Sequence, residues 1–153
     1  MPDSAVPGSA CLGFSAKTTY GLLALMELAG VEARGERLQV GEIAARQAIP
    51  ERYLEQMMTS LRRAGFVRSV RGARGGYLLA KPATAISLAD AINCLEGEAE
   101  QLVPSQGTCE LQLISALAEE LRAERVARLQ EISLADFLSK RDAMLQAQTM
   151  YFI

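Results

Sequence analysis

The stretch Val40–Leu79, VGEIAARQAIPERYLEQMMTSLRRAGFVRSVRGARGGYLL, decides the fold of this chain. It predicts two short helices followed by a tight, arginine-rich hairpin that glycines close. This order of helix, turn, helix and basic wing is the arrangement that places one helix in a groove of DNA while the wing grips the flanking backbone. The stretch therefore predicts a winged helix-turn-helix.

Local signals place both helices of this stretch. Val40–Gln47 forms a short helix with one apolar side, and Ala48-Ile49 makes the turn. Pro50 marks the start of the second helix, because proline is tolerated in a first helical turn, where its missing N–H has no partner. The second helix runs from Glu51 to Ala64, and Gly65 ends it. Its core face has the spacing of a helix and consists of Leu54, Met57, Met58 and Leu61.

A β-hairpin follows directly. The segment FVRSVRGARGGYLLA alternates apolar and polar residues on either side of a glycine-rich turn, and Pro82 ends it. Arg68, Arg71 and Arg74 lie on or near its tip. An exposed cationic hairpin beside a candidate recognition helix reaches phosphates or a minor groove that the helix cannot reach. We therefore expect the two elements to act together.

The flanking segments read as helices and loops around this unit. Residues 1–13 form a flexible leader, and Ser15 caps a helix that is apolar nearly all round and is therefore expected to be buried on several sides. Another helix opens at Ser87 or at the preceding Ile86. An irregular loop, Gly97–Thr108, then leads to the longest helix, Cys109–Gln130.

The longest helix carries an apolar stripe. A long amphipathic helix on so small a domain needs a partner for its stripe, and a second copy of the chain is the commonest one. After it, Ser133 caps a last short helix over LADFLSKR. The dimerisation residues predicted on the stripe are Leu111, Ile114, Leu117 and Leu121.

The expected fold class is mainly α: a winged helix-turn-helix with a small β-hairpin wing and a long C-terminal dimerisation helix. After the leader, residues 14–82 would form the DNA-binding domain. Residues 83–153 would contribute a linker helix, an irregular loop, the dimerisation helix and the C-terminal helix.

Composition agrees with a helical chain, whereas the total charge hides an asymmetry. Half of the 153 residues are hydrophobic, aromatics are 5%, and the formal net charge is -2. Between Arg46 and Lys81, eight basic residues stand against two acidic ones. From Pro82 onwards, eleven acidic residues stand against five basic ones. The chain therefore combines a basic module with an acidic one.

Other classes of function find little support. The chain has no histidine, no carboxylate pair at an obvious catalytic spacing and no serine in a nucleophile elbow, which argues against an enzyme. RGARGG matches neither common nucleotide-binding loop, since a strand follows it where those loops open a helix. No signal-peptide pattern and no apolar run of about 18 residues is present, so we expect a soluble, cytoplasmic protein.

The three cysteines, Cys11, Cys94 and Cys109, are odd in number and widely spaced, which argues against a disulfide framework or a structural zinc site. Cys94 falls at a mostly apolar helix position, where a buried, inert thiol is expected. Cys109 opens a helix, and the positive end of the helix dipole favours a thiolate there. A reactive or metal-ligating role for Cys109 stays open beside a structural one, and Cys11 is expected to be exposed in the leader.

The chain resembles the Rrf-type winged-helix regulators, the family that includes the IscR, NsrR and CymR proteins. The resemblance rests on YLEQ at residues 53–56, LRRAGFVRSVRG at 61–72 and GGYLLAKP at 75–82, and it covers Phe14 to Leu95. It implies a homodimer paired through the long helix. Two recognition helices would enter successive major grooves of a palindromic operator, with the wings in flanking minor grooves.

The resemblance also implies roles for individual positions. Arg71 matches the wing arginine that enters the minor groove, and Arg74 is added from its charge alone. Ser15, Lys17 and Tyr20 match the start of the first helix, near the DNA backbone. Arginine suits narrow, negative minor grooves, and Gln or Arg can read base edges with two hydrogen bonds. The positions where the recognition helix meets bases and phosphates are Glu51, Arg52, Tyr53, Glu55 and Gln56.

The sensor half departs from the family's better-known pattern. Members that bind a cluster place three closely spaced cysteines in the loop before the dimerisation helix, and here that loop offers only Cys109. The cofactor is therefore unknown. An iron–sulfur site that combines Cys109, Cys94 or Cys11 with non-cysteine ligands stays open, as do cysteine oxidation, a small ligand and a regulatory partner protein.

The sequence thus predicts a dimeric, DNA-binding transcriptional regulator, and a repressor rather than an activator. The alternative is a winged-helix module that regulates a partner protein without binding DNA. The basic segment favours DNA, because a protein-binding wing has no need of concentrated arginine.

Overall fold

The structure is a computed structural model that describes residues 13–97 and 107–151. Within those ranges it is mainly helical with one antiparallel hairpin, which confirms the predicted fold class. Nearly all of the predicted leader, Cys11 included, and most of the predicted loop Gly97–Thr108 lie outside the described residues. In chain order the elements are α1 Ala16–Glu32, α2 Val40–Gln47, α3 Glu51–Arg63, β1 Val67–Val70, β2 Gly76–Leu79, α4 Leu88–Glu96, α5 Cys109–Gln130 and α6 Leu134–Tyr151.

Helix α1 runs through the middle of the core. Ser15 caps it as predicted: Ser15 Oγ accepts a hydrogen bond from the Thr18 N–H at 3.2 Å and donates one to Thr18 Oγ1 at 3.1 Å. The second bond satisfies the hydroxyl of a fully buried residue. Helix α1 packs against α3, α4, α6 and β2, and a Cβ at Gly21 would overlap the Leu95 side chain of α4. The predicted burial of α1 on several sides is confirmed.

A residue in the left-handed region makes the turn between α2 and α3. Ala48 has φ 52° and ψ 45°, a conformation that costs a residue with a Cβ about 1–2 kcal/mol. Ile49 is buried, and its N–H donates to the Ala44 carbonyl at 3.0 Å. Pro50 stands at the N-cap of α3 and not inside its first turn, because its ψ of 120° is still extended. Its carbonyl accepts the first helical hydrogen bond, from the Leu54 N–H at 3.1 Å.

The hairpin is fastened to the segment that precedes α2. Strands β1 and β2 pair with Val67 opposite Leu79, and Leu38 adds a bridge on the other edge of β2. The Leu38 N–H donates to the Tyr77 carbonyl at 3.0 Å, and the Tyr77 N–H donates to the Leu38 carbonyl at 2.8 Å. Gly76 has φ 147°, and a Cβ there would lie 2.7 Å from the Leu38 carbonyl oxygen. The close approach therefore requires glycine at this position.

Helix α6 is longer than the sequence pattern predicted. The short helix expected over LADFLSKR extends in the structure from Leu134 to Tyr151, because no glycine or proline follows to stop it. Ser133 and Asp136 cap its start reciprocally, with N···O distances of 2.9 and 3.1 Å. The Ser133 N–H and hydroxyl hold the pKa of the Asp136 carboxyl below its ordinary value.

One hydrophobic core joins the hairpin and helix-turn-helix to α4 and α6. The fully buried Leu134 brings the start of α6 against the core, where α6 packs on α1. The Leu88 N–H donates to the Ile132 carbonyl at 2.9 Å, and the Leu134 N–H donates to the Ile86 carbonyl at 2.8 Å. None of the helices in residues 13–97 and 107–151 is long and apolar enough to cross a membrane.

The left-handed turn residue gives a stability test. We expect Ala48→Gly to raise the free energy of unfolding by about 1 kcal/mol, because glycine adopts positive φ without the Cβ clash. Urea titration followed by circular dichroism measures the change. The matched control is Ala64→Gly, at an exposed position with φ -81°, where glycine relieves no strain and a loss of up to about 1 kcal/mol is expected. Equal losses in both variants would contradict the strain at Ala48.

Candidate nucleic-acid interface

Helix α3 turns one face to the core and the other outward. The predicted core face is confirmed, since all four of its apolar residues are buried. Tyr53 leaves 60% of its surface exposed, which is unusual for an aromatic residue and typical of a surface that binds a partner. The predicted contact residues of α3 all lie on the outward side: Glu51, Arg52, Tyr53, Glu55 and Gln56 are exposed.

The N-terminal end of α1 lies beside this outward face. The two helices border a cleft of about 560 Å³. Ser15 and Lys17 at the start of α1 are exposed, so the free N–H groups of that helix end and a lysine charge stand next to α3. The cleft thus brings together five of the ten predicted contact residues, which are Ser15, Lys17, Tyr20, Tyr53 and Gln56.

The hairpin presents its arginines at the turn. Arg68 is on β1, whereas Arg71 and Arg74 lie in the connection between the strands, and all three are exposed. The turn is tight: the Gly75 N–H donates to the Gly72 carbonyl at 2.9 Å, Gly72 has φ 116°, and a Cβ at Gly75 would overlap the Val70 carbonyl. The glycines of RGARGG therefore shape the turn that carries the two arginines.

Two of the eight basic residues in the basic segment make contacts with other side chains of the protein while staying exposed. Arg46 Nη1 lies 3.1 Å from Glu27 Oε2, and Gln47 Nε2 donates to Glu27 Oε1 at 2.6 Å, so this carboxylate joins α1 to the end of α2. Lys81 Nζ lies 4.7 Å from the centre of the Phe66 ring. The sequence did not predict either contact. The other six basic residues of the segment lie on α3 and the hairpin.

The two described cysteines occupy different surroundings. Cys94 is half-buried on α4, and its Sγ donates a hydrogen bond to the Ser60 carbonyl of α3 at 3.7 Å. Burial raises the pKa of the Cys94 thiol above its ordinary value, and the positive charge of Lys17 opposes this only in part. Cys109 is exposed as the first residue of α5, which Thr108 caps through the Leu111 N–H at 3.3 Å.

No metal centre is assembled by the described residues. In residues 13–97 and 107–151, no group of three or more Cys, Asp or Glu side chains is placed to hold a metal ion. These residues do not fit an iron or iron–sulfur site on their own. Ligation that also uses residues outside those ranges stays a prediction.

Helix α5 exposes its apolar stripe. None of its residues is buried, and Ile114, Leu117 and Leu121 are between 56% and 65% exposed, with Leu111 at 42%. Leu113, at 68%, widens the stripe and was missing from the predicted set. It stands four residues before Leu117 and so borders the predicted stripe, on a helical spacing that the prediction did not use.

Comparison with known proteins agrees with this geometry. Residues 14–140 match the family model Rrf2, described as an iron-dependent transcriptional regulator. The solved structure of T. potens IscR superposes with a TM-score of 0.72 and 34% identity, over 88% of this chain and 91% of that one. The HTH-type transcriptional regulator CymR of Bacillus subtilis is 43% identical over 54% of this chain and 59% of its own length. The HTH-type transcriptional regulator IscR of Escherichia coli is 30% identical over 85% of this chain and 82% of its own length.

The two thiols should differ in reactivity. We expect iodoacetamide to modify Cys109 at least about tenfold faster than Cys94 at pH 8, because Cys109 is exposed whereas burial raises the pKa of Cys94 and leaves less thiolate. Peptide mass spectrometry over a time course, in a Cys11→Ser background, measures both rates. Unfolding in urea is the control and should equalise them. Equal rates in the folded protein would show that Cys94 is not shielded.

Proposed function

Because the chain belongs to the Rrf2 family of DNA-binding transcriptional regulators, we propose that it acts as a repressor that binds a palindromic operator as a homodimer. The observation that carries this proposal is the cleft that unites the start of α1 with the exposed face of α3. Residues 14–82 would bind DNA, and residues 83–153 would contribute pairing and signal input. As a repressor, the dimer would cover a promoter and exclude RNA polymerase from it.

In this proposal α3 enters the major groove. Arg52 and Gln56 are donors that can pair with base edges or phosphates, and Glu51 and Glu55 can accept a hydrogen bond from a cytosine amino group. The exposed Tyr53 ring packs against the sugar–phosphate backbone at the mouth of the cleft. Ser15, Lys17 and Tyr20 hold a phosphate beside the N-terminal end of α1, whose N–H groups favour an anion.

The wing reaches the flanking minor groove. Arg71 and Arg74 stand at the tip of a hairpin that Leu38 fastens to the protein, so their position relative to α3 is defined. Arginine is favoured in a narrow minor groove, where the negative potential is greatest.

Pairing would use α5. A helix that exposes a broad apolar stripe to water is energetically unfavourable. A second copy of the chain carries the same stripe, so two copies can bury both stripes against each other. Cys109 lies at the exposed start of the same helix, so of the two described cysteines it is the better placed to sense a signal at the dimer interface.

The wing can be tested by Arg71→Ala. We expect at least tenfold weaker binding to DNA, because one cationic contact is lost from each wing. For the same reason, the slope of log K against the logarithm of the salt concentration should become shallower by about one per protomer. The probe is the duplex that the wild-type chain enriches from a random-sequence library, titrated at several salt concentrations by fluorescence anisotropy. Arg128→Ala removes the same charge from the acidic half and should bind as wild type. Equal affinity of the two variants would contradict the wing assignment.

Pairing through α5 can be tested by Ile114→Glu. A carboxylate in the apolar stripe loses its hydration when two stripes pack, so we expect a monomer at concentrations where the wild type is a dimer. Sedimentation velocity measures the state. Ala123→Glu, on the opposite side of the helix, is the matched control and should leave the dimer intact. A wild-type chain that sediments as a monomer would contradict the proposal.

A further inference from the structure

The Arg125 side chain of α5 contacts two residues that are distant from it in the chain. Its Nη2 lies 3.2 Å from Glu96 Oε1, and its guanidinium carbon lies 5.2 Å from the centre of the Phe14 ring. The other arginine ion pairs of α5 stay close along the chain, as in Arg122 with Glu119 and Arg128 with its neighbour at i+3. Arg125 instead contacts residues that are distant in the chain and that only the fold brings close to it.

The two residues that Arg125 contacts lie at the start of α1 and at the end of α4. Phe14 directly precedes Ser15, the cap of α1 and a residue of the cleft. Glu96 is the last residue of α4, and α4 packs against α1 and α3. The guanidinium therefore ties the entry into α1 to the end of α4.

The contacts of Arg125 with Glu96 and Phe14 are weak, but they act at the start of α1. Arg125 and Glu96 are 47% and 34% exposed, and Phe14 is 42% exposed, so neither contact contributes much to overall stability. A packing contact of the residue before a helix cap, however, fixes the angle at which the chain enters the helix. A weak contact can therefore restrict Ser15 and Lys17 without supporting the core.

We infer that Arg125 is a positioning residue for DNA binding, which holds the start of α1 against the end of α4 so that Ser15 and Lys17 meet a backbone phosphate. This inference rests on the proposed function. It predicts that loss of Arg125 weakens binding through the contacts of α1 and leaves those of the wing unchanged.

The test is a double-mutant cycle on the full chain, with the duplex that the wild type enriches from a random library. We expect Arg125→Met to bind about three- to tenfold more weakly. In the Lys17→Met background the same change should have less than about a twofold effect, whereas in the Arg71→Ala background its full effect should persist. Arg125→Lys keeps a cation beside Glu96 and Phe14, and it should restore part of the affinity.

Matched controls separate positioning from charge and from folding. Arg128→Met removes the same charge and an ion pair of the same 3.2 Å length one turn further along α5, and it should bind as wild type. Thermal unfolding and sedimentation should be the same for Arg125→Met and the wild type. A change in either would show that Arg125 acts on stability or pairing and would overturn the positioning role.

The outcomes distinguish this role from the proposed function itself. If the wild-type chain enriches no duplex, the proposed function fails and the role fails with it. If the wild type binds but Arg125→Met binds equally well, or if the Arg125 and Lys17 effects are simply additive, only the positioning role is overturned. An equal loss in Arg128→Met would assign the effect to charge alone.

Discussion

The burial of α1 is the constraint on which the rest of the structure depends. A helix that is apolar on nearly all sides gains about 1.5–3 kcal/mol for each large side chain that it removes from water, so it is stable only when other elements surround it. Helices α3, α4 and α6 and strand β2 supply that cover. The absence of a side chain at Gly21 lets Leu95 of α4 approach closely, and the buried Thr18 hydroxyl is satisfied by the cap.

Once α1 is enclosed, its N-terminal end is left beside α3, and this juxtaposition creates the candidate interface. The same enclosure places α4 against both helices: Leu95 packs on α1, and Cys94 donates to the Ser60 carbonyl of α3. The long helix α5 contacts this assembly through α4, while its apolar stripe remains uncovered. The candidate interface and α5 are thus both in contact with α4.

Much of the fold could be predicted because the signals are local, and the structure brings five of the predicted contact residues together in one cleft. Serine caps, the spacing of Leu54 and Leu61, and the glycines of the hairpin act between residues a few positions apart, and the structure reproduces them. The ion pair of Arg46 with Glu27 and the bridge of Leu38 to Tyr77 could not be predicted. They join residues that are distant in the chain, and no periodicity or motif marks them.

The sequence by itself determined the family, the helices, the basic hairpin and the exposed stripe of α5, since each follows from composition, spacing or a motif. Only the tertiary structure decided that Ser15, Lys17 and Tyr53 share one cleft and that Arg125 spans Phe14 and Glu96. The physical reason is that such contacts depend on how helices pack around α1. That packing buries the apolar faces of several segments against one another, and no single segment encodes it.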